Sequence, residues 1–395
     1  MTVRLFEIEP YRSEFEAIVV KTDGEWIQLD RTCFYPGGGG QDPDIGTIDG
    51  LNVVEVKAEK EVIRHRIPGH RIQEGQPVMG IVDWARRYDL MKGHSGEHLL
   101  FSSIQKKVEG LELVKIAITP DKKMVMVRGT VDWAVISECQ RIVNDVIEGA
   151  VASEEIVVGK DSPLLEQARV KLERIHGDRV RIVKFGDFDM AACAGVHVKN
   201  TREIGMLLVT KFTSARPAGD FEIEFEVGSK AIGKGLELST LALQASAILG
   251  AAPVTLLSSL RNQKDELAKA KESVRNYTKE ALSRIEPSVS GDMKVYSGVF
   301  EGIDRKLLLD AANSIVEKSS SMCAFAAEDD KLTLIVAANP DLGIDCLMVL
   351  NDVIRQVSGR GGGSVTFATG GASCQGQGCH LVAEAIKKAG ESRRK

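Results

Sequence analysis

Disulfide chemistry, membrane spans and a chain-wide basic field are all missing from this sequence. Its seven cysteines, an odd number, are scattered between Cys33 and Cys379 and form no disulfide framework. No apolar run reaches the roughly 18 residues that a membrane span requires. The opening MTVRLFEIEPYRSEFEAIVV carries acids and lacks the apolar core of a signal peptide. A net charge of -5 removes any global attraction for nucleic acid while leaving room for a local patch. No tandem repeat is present. What remains is 395 residues, 43% hydrophobic and 27% charged, the composition of a globular protein with two or three domains. A cytoplasmic protein without membrane contact is the expectation.

Residues 1–82 alternate apolar and polar positions, with Gly, Pro and Asp punctuation every few residues. That pattern predicts short strands closing into a small β-barrel. From 83 to 228 a helix around RRYDLMKGHSGEHLLFSSIQKKV is followed by mostly antiparallel strands, an α+β pattern. Residues 229–286 read as a helical hairpin. Leu260, Leu267, Val274 and Ala281 recur every seven residues, flanked by Leu256, Ala270 and Tyr277, with Gln263 interrupting the stripe. This spacing predicts a coiled-coil-like seam. Residues 287–395 alternate apolar strands with helices, a small α/β domain. The fold class is therefore α+β, in four segments.

His94 and His98 lie on adjacent turns of one helical face, so both rings can reach a single point. Cys193 and His197 repeat the spacing in ACAGVHV. Thiolate and imidazole donors suit Zn²⁺, which takes four tetrahedral N/S ligands. A metalloprotease is excluded, because Glu97 precedes the second histidine instead of following the first. Four glycines, Gly37, Gly38, Gly39 and Gly40, allow a backbone to approach a ligand closely, or simply make a turn. Thr32 and Gln41 bracket them, and Cys33 reads as packing. Cys374, Cys379 and His380 lack a nearby fourth ligand and also read as a glycine-rich loop entering a helix. The basic tail (Lys387, Lys388, Arg393, Arg394 and Lys395) reads as solvated or phosphate-facing.

LDRTCFYPGGGGQDPDIG, HSGEHLL and CAGVHVKNTREIG stand in the order and near spacing of the editing domain of alanyl-tRNA synthetase. GRGGGSVTFATGGAS resembles the glycine-rich segment of the domain that follows there, called DHHA1. The sequence as a whole is most similar to the long free-standing alanyl-tRNA editing proteins, the AlaX group. Three departures stand out. Ala194 and Val196 replace a glycine and a threonine common between the cysteine and histidine. Ala191 and Ala192 stand where an acid usually precedes the cysteine. DFEIEFEVG is acidic where the synthetase has a basic stretch.

The resemblance implies a hydrolase that removes serine or glycine from mischarged tRNA(Ala) and spares alanine. It implies one Zn²⁺ per chain on His94, His98, Cys193 and His197. Thr32 and Gln41 would be catalytic-site residues, Thr32 bonding the serine hydroxyl, with the Gly37–Gly40 backbone shaping the pocket. Arg360, Gly361, Gly362 and Gly363 would face tRNA, and the C-terminal domain would support a homodimer. The editing reaction answers a physical limit, since one added hydroxyl is rejected only about 10²-fold by an apolar pocket. Two other classes stay open: a non-catalytic tRNA-binding protein stabilised by zinc, and a DHH-like phosphoesterase. The second is disfavoured because the chain has no Asp-His-His run.

Overall fold

The computed structural model describes residues 2–170, 177–291 and 293–392. Of the basic tail, Arg393, Arg394 and Lys395 lie outside the described residues. The chain divides into two compact units, 1–244 and 245–395. Among the described residues no single helix is long and apolar enough to cross a membrane.

Beside a short parallel pair, Val3–Arg4 with Arg31–Thr32, the first unit opens with seven strands: β1 (Glu14–Asp23), β2 (Trp26–Leu29), β3 (Gly46–Ile48), β4 (Leu51–Val53), β5 (Glu55–Glu59), β6 (Val62–Arg66) and β7 (Pro77–Val82). They form one sheet in the order β4-β3-β7-β1-β2-β6-β5. The two edge strands are consecutive in sequence, so the sheet curls into a nearly closed barrel. Phe15, Val19, Ile27, Leu29, Ile48, Ile63 and Val78 fill its interior, as the alternation predicts. One polar pair sits in that apolar core. The Thr32 hydroxyl lies 2.9 Å from His65 Nε2 and accepts the Phe34 N–H at 3.1 Å.

Helix α1 (Trp84–Lys107) follows, its N-terminus capped by the Asp83 side chain accepting from the Arg86 N–H. Every residue from Gly93 to Ile104 is buried. It packs on β8 (Glu112–Ile118), β9 (Lys123–Arg128), β13 (Leu207–Ser214) and β14 (Asp220–Val227), a sheet in the order β8-β9-β14-β13. Helix α2 (Trp133–Glu148) packs on α1, and β10 (Ser153–Gly159), β11 (Arg179–Phe185) and β12 (Asp189–Ala192) form a third sheet. The core joining these elements runs through Leu99, Leu100, Phe101, Ile104, Phe185, Val198 and Phe225. Helix α3 (Gly228–Leu249) begins where β14 ends.

The second unit contains α4 (Leu256–Ser283) and a six-stranded sheet carrying three helices. In chain order these are β15 (Ser288–Ser290), β16 (Met293–Phe300), α5 (Arg305–Lys318), β17 (Ser321–Glu328), β18 (Leu332–Ala338), α6 (Cys346–Ile354), β19 (Arg360–Gly363), β20 (Phe367–Ala372) and α7 (Gly378–Ser392). Sheet order is β15-β16-β17-β18-β20-β19, and within it β16 and β17 run parallel while the other described neighbours are antiparallel. Both helices of the expected hairpin form. On α4 itself Leu260, Leu267, Val274 and Tyr277 are exposed.

Burial holds His65 neutral and pulls its pKa down to about 4. Above an unfolded value near 6.5 this costs nothing. As pH falls from there toward 4, the unfolded chain gains a proton that the fold refuses, so stability drops by up to about 3 kcal/mol. Urea unfolding at pH 7 and pH 4.5 should therefore show a smaller loss for His65→Gln than for the parent. An equal loss in both would remove His65 as the cause.

Candidate metal centre

The ligand segments come from two elements far apart in sequence. His94 and His98 project from the buried middle of α1, while Cys193 and His197 lie in the loop after β12. Their four ligand atoms fall within 4.8 Å of one another. Cys193 Sγ is 3.5 Å from His94 Nε2 and 3.3 Å from His197 Nε2. Tetrahedral zinc with bonds of 2.0–2.3 Å sets its donors about 3.3–3.7 Å apart, so the cluster has the right size.

Ring orientation supports the same reading. His94 Nδ1 is 2.8 Å from Gln41 Oε1, His98 Nδ1 is 2.7 Å from Asp189 Oδ2, and His197 Nδ1 is 3.2 Å from Ser95 Oγ. Each partner occupies Nδ1 and leaves Nε2 for the centre, which is how outer groups fix a ligating imidazole. Arg181 holds the cysteine loop from behind, donating from Nη1 to the carbonyls of Cys193 and Gly195, both at 2.8 Å. Burial favours the neutral thiol of Cys193, yet His94 and His197 hold it well below the usual thiol range. Burial likewise opposes Asp189, but His98 and Arg169 keep its carboxyl below the ordinary value. The donor set is a thiolate with three imidazoles. It fits zinc.

Gly195 is required by space, not by turn geometry. A Cβ there would stand 2.2 Å from His94 Cε1 and 3.0 Å from Gln41 Oε1. The Gly37–Gly40 loop is required by both. All four have positive φ, and a Cβ on Gly40 would meet Ile116 at 2.7 Å. The Gly40 carbonyl accepts from the Ile118 N–H at 2.7 Å, pinning the loop to β8. Beyond it, Asp44 accepts the Tyr35 N–H at 2.6 Å and forms a fully buried ion pair with Arg87 of α1. The loop thereby delivers Gln41 to His94.

A cleft of about 1780 Å³ opens beside the cluster, bordered by Gly39, Gly40, Phe101, Asp189, Cys193 and Ala194. Three buried polar groups near it have no hydrogen-bond partner among the described residues: Gln41 Nε2, both oxygens of Glu97, and Arg169 Nε. Burial pushes the Glu97 carboxyl up.

Thr32 is placed differently from the expectation. It packs in the barrel core with its hydroxyl taken by His65 and Phe34, and makes no hydrogen bond to a cluster residue. Cys33 is buried packing, its thiol pushed up to about 11 by burial. Cys374, Cys379 and His380 form no second metal-type group among the described residues. Arg360–Gly363 is an exposed edge strand, β19, paired with β20 alone. Sequence reasoning missed Asp189, Ser95 and Arg181.

Comparison with known proteins agrees with this arrangement. Residues 180–236 match the family described as threonyl and alanyl tRNA synthetase second additional domain, and residues 5–86 match tRNA synthetases class II (A). The alanyl-tRNA editing protein AlaX-L of Pyrococcus horikoshii is 29% identical, covering 94% of each chain. The motif resemblance thus holds along nearly the whole chain. An alanine–tRNA ligase of Pyrobaculum aerophilum is 26% identical over 93% of this chain and 42% of its own length. The chain therefore spans about two fifths of such a ligase. The C-Ala domain of Aquifex aeolicus alanyl-tRNA synthetase is 21% identical over 28% of this chain and 99% of its own, with a TM-score of 0.24. A likeness that weak decides nothing.

Gly195→Ala should displace the His94 ring while leaving all four ligands in the sequence. Zinc retained after dialysis, measured by metal analysis, should drop well below one per chain. Acid should deplete the parent too, because thiol and imidazole must both lose protons to bind. Full occupancy in Gly195→Ala, or in a His98→Ala, Cys193→Ala double variant, would sink the ligand assignment.

Proposed function

We propose that this protein is a trans-editing hydrolase that cleaves the ester linking serine or glycine to tRNA(Ala), and that it spares the alanyl ester. The observation carrying this reading is the thiolate–imidazole cluster at the edge of a cleft, in a chain similar to AlaX-L along nearly its whole length. The cleft supports a nucleic-acid substrate. Seven cationic side chains line it against four acidic ones, although the net charge is -5. Lys115 and Arg179 are among these cations, and a phosphate backbone is drawn to such a wall. In unit two, Arg360–Gly363 presents a cation and exposed backbone that suit a further tRNA contact.

His94, His98, Cys193 and His197 would hold one Zn²⁺, which when bound supplies Lewis-acid polarisation and lowers the pKa of nearby water. Everything else falls to the chain. Gln41 Oε1 accepts from His94 and from the Val196 N–H at 3.2 Å, so its Nε2 hydrogens remain free to bond an ester carbonyl or a serine hydroxyl. The Gly37–Gly40 backbone sets how closely the acyl group approaches. Thr32 acts on the barrel, and the discrimination assigned to it by resemblance passes to Gln41.

A non-catalytic reading draws on one observation: four protein ligands fill a tetrahedron, the pattern of structural zinc. A deacylation panel with Ser-, Gly- and Ala-tRNA(Ala) separates the two. Release of serine or glycine, abolished by a chelator that leaves tRNA binding intact, is the expected result. Binding without turnover of any of the three would leave the structural reading standing.

Thr32→Val should slow the release of serine and glycine equally, if at all. It should instead destabilise the barrel by about 1–3 kcal/mol, because it strips His65 and the Phe34 N–H of a buried partner. Selective loss of serine release in this variant would restore Thr32 to the substrate.

A further inference from the structure

The helical face that carries two of the metal-type ligands continues past them. His94, His98, Phe101 and Gln105 follow one another at steps of four, three and four residues, so they share one side of α1. Gln105 stands about two turns beyond His98, roughly 10 Å along the axis at 1.5 Å per residue. Phe101 and Gln105 both border the cleft. Phe101 is buried, whereas Gln105 is exposed, with a side-chain amide that no described residue bonds. Its neighbour Lys106 is committed elsewhere. The Lys106 Nζ lies 4.0 Å from the centre of the Phe188 ring and donates to the Phe188 carbonyl.

Arg169 completes this wall. Its Cζ lies 4.6 Å from the centre of the Phe101 ring, and its Nη2 donates to the Asp189 carboxylate at 3.3 and 3.4 Å. The guanidinium is thereby laid against Phe101 and tied beside the cluster, and Arg169 itself borders the cleft. A planar cation with one face on an aromatic ring offers its other face, and guanidinium planes stack nucleobases. A free glutamine amide complements adenine, its oxygen accepting from the N6 amine while its nitrogen donates to N7. Stacking plane and reading amide stand on one wall.

We propose that this wall seats the terminal adenine of the tRNA, the base stacked on Arg169 and its N6–N7 edge read by Gln105. The inference rests on the hydrolytic reading for one point, that the ester stands at the cluster. An aminoacyl ester is carried by the ribose of that adenosine, so its base lies within one nucleoside of the cluster. The run of α1 from His98 to Gln105 is of that length. The competing occupant of Arg169 is a phosphate, which a phosphate-free probe separates from a base.

The probe is serine joined by an amide to 3′-amino-3′-deoxyadenosine, which has neither a phosphate nor an ester to cleave. A second probe carries purine in place of adenine and so lacks the N6 amine. Titration calorimetry with the zinc-loaded full chain measures the binding of each. The parent should prefer the adenine probe by about tenfold, the low end of a bidentate contact. Gln105→Ala should erase that preference. Arg169→Lys keeps the charge and loses the plane, so at one zinc per chain it should weaken both probes alike. A parent that binds neither probe or shows no preference overturns the proposal, as does a preference that survives in Gln105→Ala. Probes indifferent to Arg169→Lys remove the stack and leave a phosphate seat. Turnover of Ser-tRNA(Ala) is followed in parallel. Turnover without these probe effects overturns the adenine seat alone, and probe effects without turnover overturn the hydrolytic reading alone.

Discussion

Four polar ligands converging in a dry interior are the constraint on which the first unit is built. His94, His98 and His197 are all nearly inaccessible to solvent, and unsatisfied ring nitrogens there would each cost several kcal/mol by burial alone. The chain meets that cost by giving every Nδ1 its own partner, drawn from three different places. Gln41 comes from the glycine loop, Ser95 from α1 itself and Asp189 from the start of β12. The loops around the cluster therefore cannot vary independently. Each carries donors or an orienting group.

The longest of these dependencies runs from an ion pair to a ligand. Arg87 and Asp44 are both buried, so their desolvation is offset only by close pairing and further hydrogen bonds. Arg87 finds them in the Pro10 carbonyl at 3.1 Å and in the Cys33 carbonyl. Asp44 in turn ties down Tyr35, and the Tyr35 hydroxyl donates to the Gly38 carbonyl at 2.8 Å. A loop of four left-handed glycines would otherwise be the freest segment in the molecule. Clamped at both ends, it becomes a fixed arm presenting Gln41. The barrel is tied to the cluster through that arm, while Thr32 and His65 pair inside its own core.

Legibility in the sequence followed the range of the interaction. Strand alternation in 1–82 and the two x3 spacings are local patterns, and the barrel and the four-ligand cluster follow from them. Asp189 is four residues from Cys193 but pairs with His98, 91 positions away, and no local pattern announces that partner. Thr32 is the opposite case. Its neighbours in sequence belong to the ligand-approaching loop, yet a strand points its side chain inward, and His65 from β6 claims the hydroxyl. The heptad spacing of α4 was legible as a helix, and the helix forms. Periodicity is silent on what that face packs against.

If the site is hydrolytic, as proposed, the cluster and the cleft together limit how the chemistry is divided. If all four side chains stay bound to a metal, its coordination sphere is full, and substrate must be oriented by groups outside it. The groups in place for that are the Gln41 amide, whose Nε2 is free, and the backbone of Gly39 and Gly40 on the cleft wall. A rigid arm matters more in such a site than in one where substrate docks on the metal itself, because orientation must hold to within about 0.5 Å. That demand explains why a buried ion pair, a tyrosine hydroxyl and a strand-end hydrogen bond are all committed to one short glycine loop. Softening any of the three would leave the metal cluster intact and still misplace Gln41. The glycine loop and the ligand helix are thus one functional element, fastened by Arg87.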